Sequence, residues 1–121
     1  MIKVTIYQDS EQRISGFTMQ DHAGYAESGS DIVCAAASAL AQNTVNSIER
    51  FTEDIFTVDI NEGTGELDVE LGPGYSKETA LLLDSLILGL QGIEEEYMEY
   101  IDVIFEEVKR QVKNEPSVIC T

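Results

Sequence analysis

The chain has 121 residues, with 23 acidic against 7 basic side chains and a formal net charge of −16. This length suits one domain with a sizeable core, and no apolar run is long enough to cross a bilayer. Such an acidic surface repels nucleic-acid phosphates, which argues against direct DNA or RNA binding; it favours a basic partner, or it serves solubility alone.

The first predicted elements form a β-hairpin. Apolar and polar residues alternate over 2–7, as in a half-buried strand, and no charged leader precedes an apolar block as in a signal peptide. A second strand is predicted over 13–20. Its apolar phase shifts near Gly16, which indicates a bulge. This strand delivers His22, the one histidine of the chain.

A helix and a second hairpin follow. The helix is predicted from Ile32 to about Phe51, with Asp31 as its N-cap and a run of small residues near its start. The strongly β-forming stretch 55–60 and the strictly alternating stretch 66–71 flank a glycine-containing loop, which predicts a hairpin.

The last third of the chain predicts a helix and a strand. Residues 76–97 form the helix, which is apolar nearly all round, so we expect deep burial across the sheet or a homodimer contact. Residues 100–108 fit a strand or a helix, and their β-branched content favours the strand. We therefore predict an α+β fold: a mixed sheet of about four to five strands with two main helices on one face, in the order ββαββα(β). Residues 1–110 form the domain and 111–121 a C-terminal tail.

A thiol and an imidazole lie at the two ends of one glycine-containing loop. With Asp31 as N-cap, Cys34 is the third helical residue, where the helix N-terminus favours a thiolate and the Cys34 N–H is free to help hold an oxyanion. His22 can act as general base and then protonate a leaving amine. Asp31 and Ser38 are candidates to orient the histidine. The residues also allow Cys34 as a small buried hydrophobe and His22 as a surface residue.

Other chemistries fit less well. One histidine and two distant cysteines supply no zinc site, and there is no phosphate-binding loop, serine elbow or calcium loop. We expect no cofactor and no metal. The cysteines are also too few for a disulfide framework, which indicates free thiols and a cytoplasmic location. Cys120 lies in the tail with nothing nearby in sequence to activate it.

The loop and helix start resemble a known family, the bacterial ribosomal-processing cysteine peptidases called Prp. The resemblance rests on the twelve-residue step from histidine to cysteine and on the residues His22, Ala23, Gly29, Asp31, Cys34, Ala35 and Ser38. It extends over most of the chain. It implies that Cys34 is the nucleophile and His22 the base, that Ala23 to Ser30 (with Gly24 and Gly29) form a mobile loop admitting the substrate, and that 100–108 is the last strand.

The resemblance also implies a substrate. Members remove a short N-terminal extension from large-subunit ribosomal protein number twenty-seven, cut after a hydrophobic-aromatic stretch, and form homodimers. Such a substrate is basic, so the acidic surface has a second interpretation as a guide to encounter. Two alternatives remain at this point: a non-catalytic, acidic homodimeric adaptor that binds ribosomal or assembly proteins, and a thiol-dependent acyl hydrolase or transferase.

One position departs from the family pattern. The residue before the histidine is usually glycine, and here it is Asp21. If glycine serves a special backbone angle or a close approach of the substrate, Asp21 disturbs it; alternatively, the carboxylate raises the pKa of His22. The sequence does not identify the oxyanion partner. The small side chains of Ala36, Ala37 and Ala39 either leave space for the substrate residue before the cut or pack against the sheet.

Overall fold

The computed structural model describes residues 1–21, 28–61 and 63–108, and for residues 21 and 28–31 it describes the backbone alone. Within these ranges, five strands and two helices follow one another in the predicted order. They are β1 (Ile2–Gln8), β2 (Ile14–Asp21), α1 (Ser28–Phe51), β3 (Phe56–Asn61), β4 (Glu66–Leu71), α2 (Lys77–Glu96) and β5 (Ile101–Glu107). The α+β prediction is confirmed, including a final strand where the sequence also allowed a helix. The predicted tail at 111–121 lies outside the described residues.

The five strands form one mixed sheet in the order β3-β4-β2-β1-β5. β1 and β5 are parallel, because α2 carries the chain back along the sheet between β4 and β5, and the other neighbouring strands are antiparallel. Alternate residues of each strand face the helices. The core between this face and the helices holds Val33, Ala37, Ala41 and Ile48 of α1, Leu83, Leu86 and Leu90 of α2, and buried strand residues such as Val4, Phe17 and Val69.

The β1–β2 hairpin contains the predicted irregularity. Tyr7 pairs with Gly16 but Gln8 pairs with Ile14, so Ser15 is an extra residue on β2. The bulge shifts the alternation of β2 by one residue, which explains the change of apolar phase in the sequence. At Gly16 the backbone of β4 comes so close that an added Cβ would collide with the carbonyl oxygen of Val69.

The start of α1 corrects the sequence prediction. The helix begins at Ser28, so Asp31 is its fourth residue and not its N-cap. An acidic side chain is favourable anywhere in the first turn of a helix, because it interacts with the exposed N–H groups there. The presence of Asp31 therefore predicted the helix but did not fix its first residue.

The start of α2 is held by one carboxylate. Ser76 is the N-cap, and its hydroxyl accepts a hydrogen bond from the Thr79 N–H. Asp54, in the link between α1 and β3, accepts hydrogen bonds from the Ser76 N–H, the Ser76 hydroxyl and the Thr79 hydroxyl. These hydrogen bonds lower the pKa of Asp54, those from the two hydroxyls most strongly. The network joins the segments before β3 and after β4.

A second set of contacts joins β2 to the same region. The Tyr75 hydroxyl donates to the Ile14 carbonyl at 2.7 Å, and the Arg13 guanidinium lies 4.3 Å from the centre of the Tyr75 ring. Burial raises the pKa of Tyr75, and the Arg13 charge opposes that shift. Neither described helix is both long and apolar enough to cross a membrane.

Candidate active site

Cys34 lies in α1, at the opposite end of the sheet from the Asp54 network. It is the seventh residue of the helix, and its thiol is free and half-buried. It borders a cavity of about 150 Å³ between α1 and the sheet. The cavity is lined by Ile2, Met19, Cys34, Ser38, Gln42, Ile60, Gly65 and Leu67.

The walls of this cavity follow from two regular spacings. On the helix side, Cys34, Ser38 and Gln42 are four residues apart and therefore share one face of α1. On the sheet side, Ile60 pairs with Leu67, and Leu67 with Met19, so these side chains form one row across three strands. The cavity thus has a wall that carries a thiol, a hydroxyl and an amide, and a floor that is apolar.

The helix wall of the cavity carries two polar side chains besides the thiol. Among the described residues, neither the Ser38 hydroxyl nor the Gln42 amide has a hydrogen-bond partner. A peptide in extended form presents N–H and C=O groups along its length, and each must find a partner when it is covered. A hydroxyl and an amide beside an apolar floor suit such a ligand. No group of three or more His, Cys, Asp or Glu side chains that could hold a metal occurs in the described part of the chain.

The position of Cys34 changes one predicted role. The N–H groups without intrahelical partners belong to the first turn, and Cys34 comes after it. Its N–H is committed to the helix ladder, so the prediction of a free oxyanion donor at the Cys34 backbone is wrong. The prediction depended on Asp31 as N-cap, and the earlier helix start removes it.

The other predicted site residues divide into three groups. His22, Ala23 and Gly24 lie outside the described residues. Gly29 and Ser30, predicted to belong to the mobile loop, lie instead in the first turn of α1. Ser38 lies beside Cys34 in the cavity wall, as its spacing predicted.

Asp21 is the last residue of β2 and pairs with Ile2 across the hairpin. Its backbone is that of an ordinary strand residue, which any side chain can adopt. The structure therefore gives no sign that this position needs the conformational freedom of glycine. The hypothesis that its carboxylate raises the pKa of His22 stays a prediction.

The alanine-rich stretch does not line the cavity. Ala37 is fully buried in the core, while Ala36 and Ala39 are exposed on the other side of the helix. The sequence did not identify Gln42, Ile60 and Leu67 as cavity residues. The four-residue spacing that identified Ser38 extends to Gln42, so that residue had a signal. Ile60 and Leu67 had none, because their approach to Cys34 depends on how the β3–β4 hairpin packs.

Known proteins that are similar to this chain are named as cysteine proteases. A family model described as "Cysteine protease Prp" matches residues 1–102. The Staphylococcus aureus protein named ribosomal processing cysteine protease Prp is 35% identical over 101 residues, which are 84% of this chain and 95% of that protein. A crystal structure of an S. aureus Prp with a substrate peptide superposes with a TM-score of 0.82 at 32% identity, over 88% of this chain and all of the other. A second, with a covalently linked product peptide, gives a TM-score of 0.78 at 33% identity, over the same shares of both chains.

Proposed function

This chain belongs to the cysteine protease Prp family and is a cysteine protease, and from this premise we propose that it removes the N-terminal extension of large-subunit ribosomal protein number twenty-seven in the cytoplasm, using Cys34 as nucleophile and His22 as general base. The observation that carries the proposal is the free thiol of Cys34 at the border of the cavity. The match to cysteine proteases favours the protease over the non-catalytic adaptor and over the thiol-dependent acyl hydrolase or transferase.

The proposed reaction has two steps. The Cys34 thiolate attacks the carbonyl carbon of the peptide bond, the C–N bond breaks, and the amine leaves with a proton donated by the His22 imidazolium. Water, deprotonated by His22, then hydrolyses the thioester and releases the acyl part as a carboxylic acid. β2 ends at Asp21, the residue before His22, at the same end of the sheet as the cavity, which supports this pairing.

The substrate proposal rests on the relatives and on charge. The S. aureus relative is named as a ribosomal processing protease, and ribosomal proteins are basic as a class. A net charge of −16 on this chain complements such a substrate and accelerates encounter at low salt.

We also propose that the chain works as a homodimer. Leu81 and Leu88 lie seven residues apart on one face of α2 and are 69% and 73% exposed, while Leu83, Leu86 and Leu90 face the core. α2 therefore carries more apolar surface than the sheet covers. A helix face of this kind is suited to contact with a second copy.

The test is incubation of the protein with the extended ribosomal protein, followed by mass spectrometry of the products. We expect one cut at the end of the extension, and loss of cleavage by several orders of magnitude in both Cys34→Ala and His22→Ala. The Cys34→Ala variant should still bind the substrate, because the cavity is intact. Cleavage that survives in Cys34→Ala would contradict the assignment of Cys34 as nucleophile. A wild type that leaves the extended protein uncut would contradict the proposed substrate.

A further inference from the structure

The face of the sheet that is turned away from both described helices is acidic. Its side chains alternate along each strand with those that face the core, such as Phe17 and Val69. Along the five described strands, the charged side chains on this face are acidic except for Lys3. The acidic ones are Asp59, Glu66, Asp68, Glu70, Asp102 and Glu106.

A cleft of about 260 Å³ opens on this face at a position without a side chain. Gly16 of β2 lies in one cross-strand row between Tyr7 of β1 and Glu70 of β4. Because glycine has no side chain, the row has a gap at its centre, with Tyr7 on one side and Glu70 on the other. Thr18 and Asp68, which pair with each other in the next row, also line the cleft. We call the space between these five residues the acidic cleft.

Thr18 turns a hydroxyl without a partner into the acidic cleft. The residue is 8% exposed, and its side chain has no hydrogen-bond partner within the described residues. Every fully buried side-chain nitrogen or oxygen in the described part of the chain does have a partner. The Thr18 hydroxyl is therefore open to its surroundings, and Thr18 lines the cleft. A largely buried hydroxyl that depends on a cleft for its hydrogen bond indicates a polar ligand.

The charges around the acidic cleft favour a cation. Asp68 and Glu70 are exposed carboxylates of one wall. Strand pairing places Asp59 directly opposite Asp68, with Cβ atoms ~5 Å apart, and like charges in this arrangement destabilise a sheet. A bound cation offsets the repulsion, the Tyr7 ring attracts it, and the Thr18 hydroxyl accepts a hydrogen bond from it. The cleft therefore suits the side chain of a lysine or an arginine.

We propose that the acidic cleft is a second binding site for the substrate, and that it takes a lysine or arginine side chain from the part of the substrate that follows the cut. This inference rests on the proposed function, because it needs a basic protein as substrate. The extension before the cut is short, so the segment that reaches a distant site belongs to the protein that remains after cleavage.

The place of the cleft determines how far from the cut this basic residue lies. The Cys34 cavity is on the helix side and extends to Ile60 of the edge strand β3. The acidic cleft is on the other side, at Gly16, three residues before the cavity residue Met19 on β2. A chain that passes around β3 covers roughly 30 Å, given by two strand spacings, the thickness of one layer and the step along β2. In extended form this is about nine residues.

Other occupants fit the acidic cleft less well. A second copy also has a net charge of −16, so two such faces repel each other, and nucleic acid is repelled in the same way. Lys109 and Arg110 of the chain itself, which follow Val108 in the sequence, do have a suitable charge. Stability distinguishes this last occupant, because a side chain bound within one folded chain contributes to Tm.

The test compares two substrates with the same cut. One is the extended ribosomal protein, and the other is a peptide that ends four residues after the cut and is too short to reach the cleft. The variant Asp68→Asn/Glu70→Gln removes two charges from the cleft. We expect its kcat/KM for the protein to fall about five- to tenfold, mainly through KM, and the fall to become smaller at high salt. Its kcat/KM for the peptide should equal that of the wild type.

Two matched controls separate the cleft from net charge and from burial. Glu95→Gln/Glu96→Gln removes the same charge from exposed residues of α2 and should stay within about twofold of the wild type on both substrates. Thr18→Val removes the hydroxyl of the cleft and should lower kcat/KM for the protein about threefold. Thr5→Val makes the same change at the paired residue of β1, which does not line the cleft, and should have no effect.

Several outcomes would overturn the inference. Equal falls in the cleft and α2 variants would mean that net charge alone acts, and equal falls on both substrates would mean a disturbed fold. A lower Tm in Asp68→Asn/Glu70→Gln with unchanged kcat/KM would assign the cleft to a segment of the chain itself. A dimer that dissociates in this variant, measured by sedimentation, would assign it to a second copy. A wild type that cuts both substrates, with cleft variants equal to it, removes the second site alone, whereas a wild type that cuts neither removes the proposed function as well.

Discussion

The two ends of the sheet differ in what their polar side chains do. At the end where β3 begins and β4 ends, the Asp54 carboxylate accepts three hydrogen bonds from Ser76 and Thr79, and Tyr75 donates to the carbonyl of Ile14. At the end where β3 finishes and β4 begins, Ser38 and Gln42 border the cavity. Neither side chain has a hydrogen-bond partner among the described residues. We call these the closed end and the thiol end.

The difference separates stability from function along the length of one small domain. The closed end joins three segments that are distant in sequence, so its hydrogen bonds stabilise the fold. Within the described residues, the thiol end combines polar side chains that have no hydrogen-bond partner with apolar side chains of the cavity, and a substrate needs both kinds of group. Substitutions at the closed end should therefore change the free energy of unfolding, and substitutions at the thiol end should change catalysis.

The largest effect is expected at Gly16, near the closed end. Gly16→Ala places a Cβ against the carbonyl oxygen of Val69, and backbone atoms cannot yield without moving β2 away from β4. We expect the free energy of unfolding to fall by about 2–4 kcal/mol, as for other substitutions that force backbone strain. Urea denaturation followed by circular dichroism measures it.

Gly92→Ala is the control for Gly16→Ala. An added Cβ at Gly92 meets nothing within 4 Å, and the residue lies within α2. Alanine is favoured over glycine in a helix by ~1 kcal/mol, so this variant should be slightly more stable than the wild type. Equal destabilisation by both variants would contradict the close approach at Gly16.

A smaller effect that depends on pH is expected at Asp54. Hydrogen bonds from Ser76 and Thr79 lower the pKa of Asp54 from its usual 3.8, so the ionised form stabilises the folded state. This stabilisation is complete above the pKa of the unfolded chain and is lost as pH falls through the lower folded value. Asp54→Asn should therefore have a lower Tm than the wild type at pH 7, and the two Tm values should converge at pH values below about 3.8.

The neighbouring exposed Glu53 provides the comparison for Asp54. Glu53→Gln removes the same charge from the same link and should leave Tm unchanged at pH 7. In both variants, kcat/KM measured well below Tm should match the wild type, because neither residue lines the cavity. A fall in kcat/KM in Asp54→Asn would mean that the two ends are coupled.

The sequence predicted the strands and helices well, because each carries a local signal. Alternation over 2–7 and 66–71 gave two strands almost to the residue, and β5 followed from its β-branched content. The start of α1 was placed four residues late, since an acidic residue is equally favourable at the N-cap and within the first turn. That local error removed one predicted catalytic role, the oxyanion donor at Cys34.

The site was predictable only where it follows one helix. Ser38 is one turn from Cys34, and the same spacing reaches Gln42. Ile60 and Leu67 come from a hairpin that lies more than twenty residues after Cys34 in the chain. Their place beside the thiol depends on the strand order β3-β4-β2, which no short-range pattern in the sequence contains. The closed end was missed for the same reason, because Asp54 and Ser76 meet only through the tertiary fold.

The smallest effect, and the most direct comparison of the two ends, is expected from Ser38→Ala. Within the described residues the Ser38 hydroxyl has no hydrogen-bond partner, and alanine is the better helix former, so the free energy of unfolding should stay within ~0.5 kcal/mol of the wild type or rise slightly. If the hydroxyl binds the substrate backbone or orients His22, kcat/KM should fall about three- to tenfold, as expected for one hydrogen bond worth ~1 kcal/mol. The two roles are separable, because loss of a substrate contact raises KM, whereas loss of an orienting contact lowers kcat and shifts its pH profile. A Ser38→Ala variant that loses stability and keeps full activity would reverse the assignment, because the thiol end would then contribute to the fold in the way the closed end does.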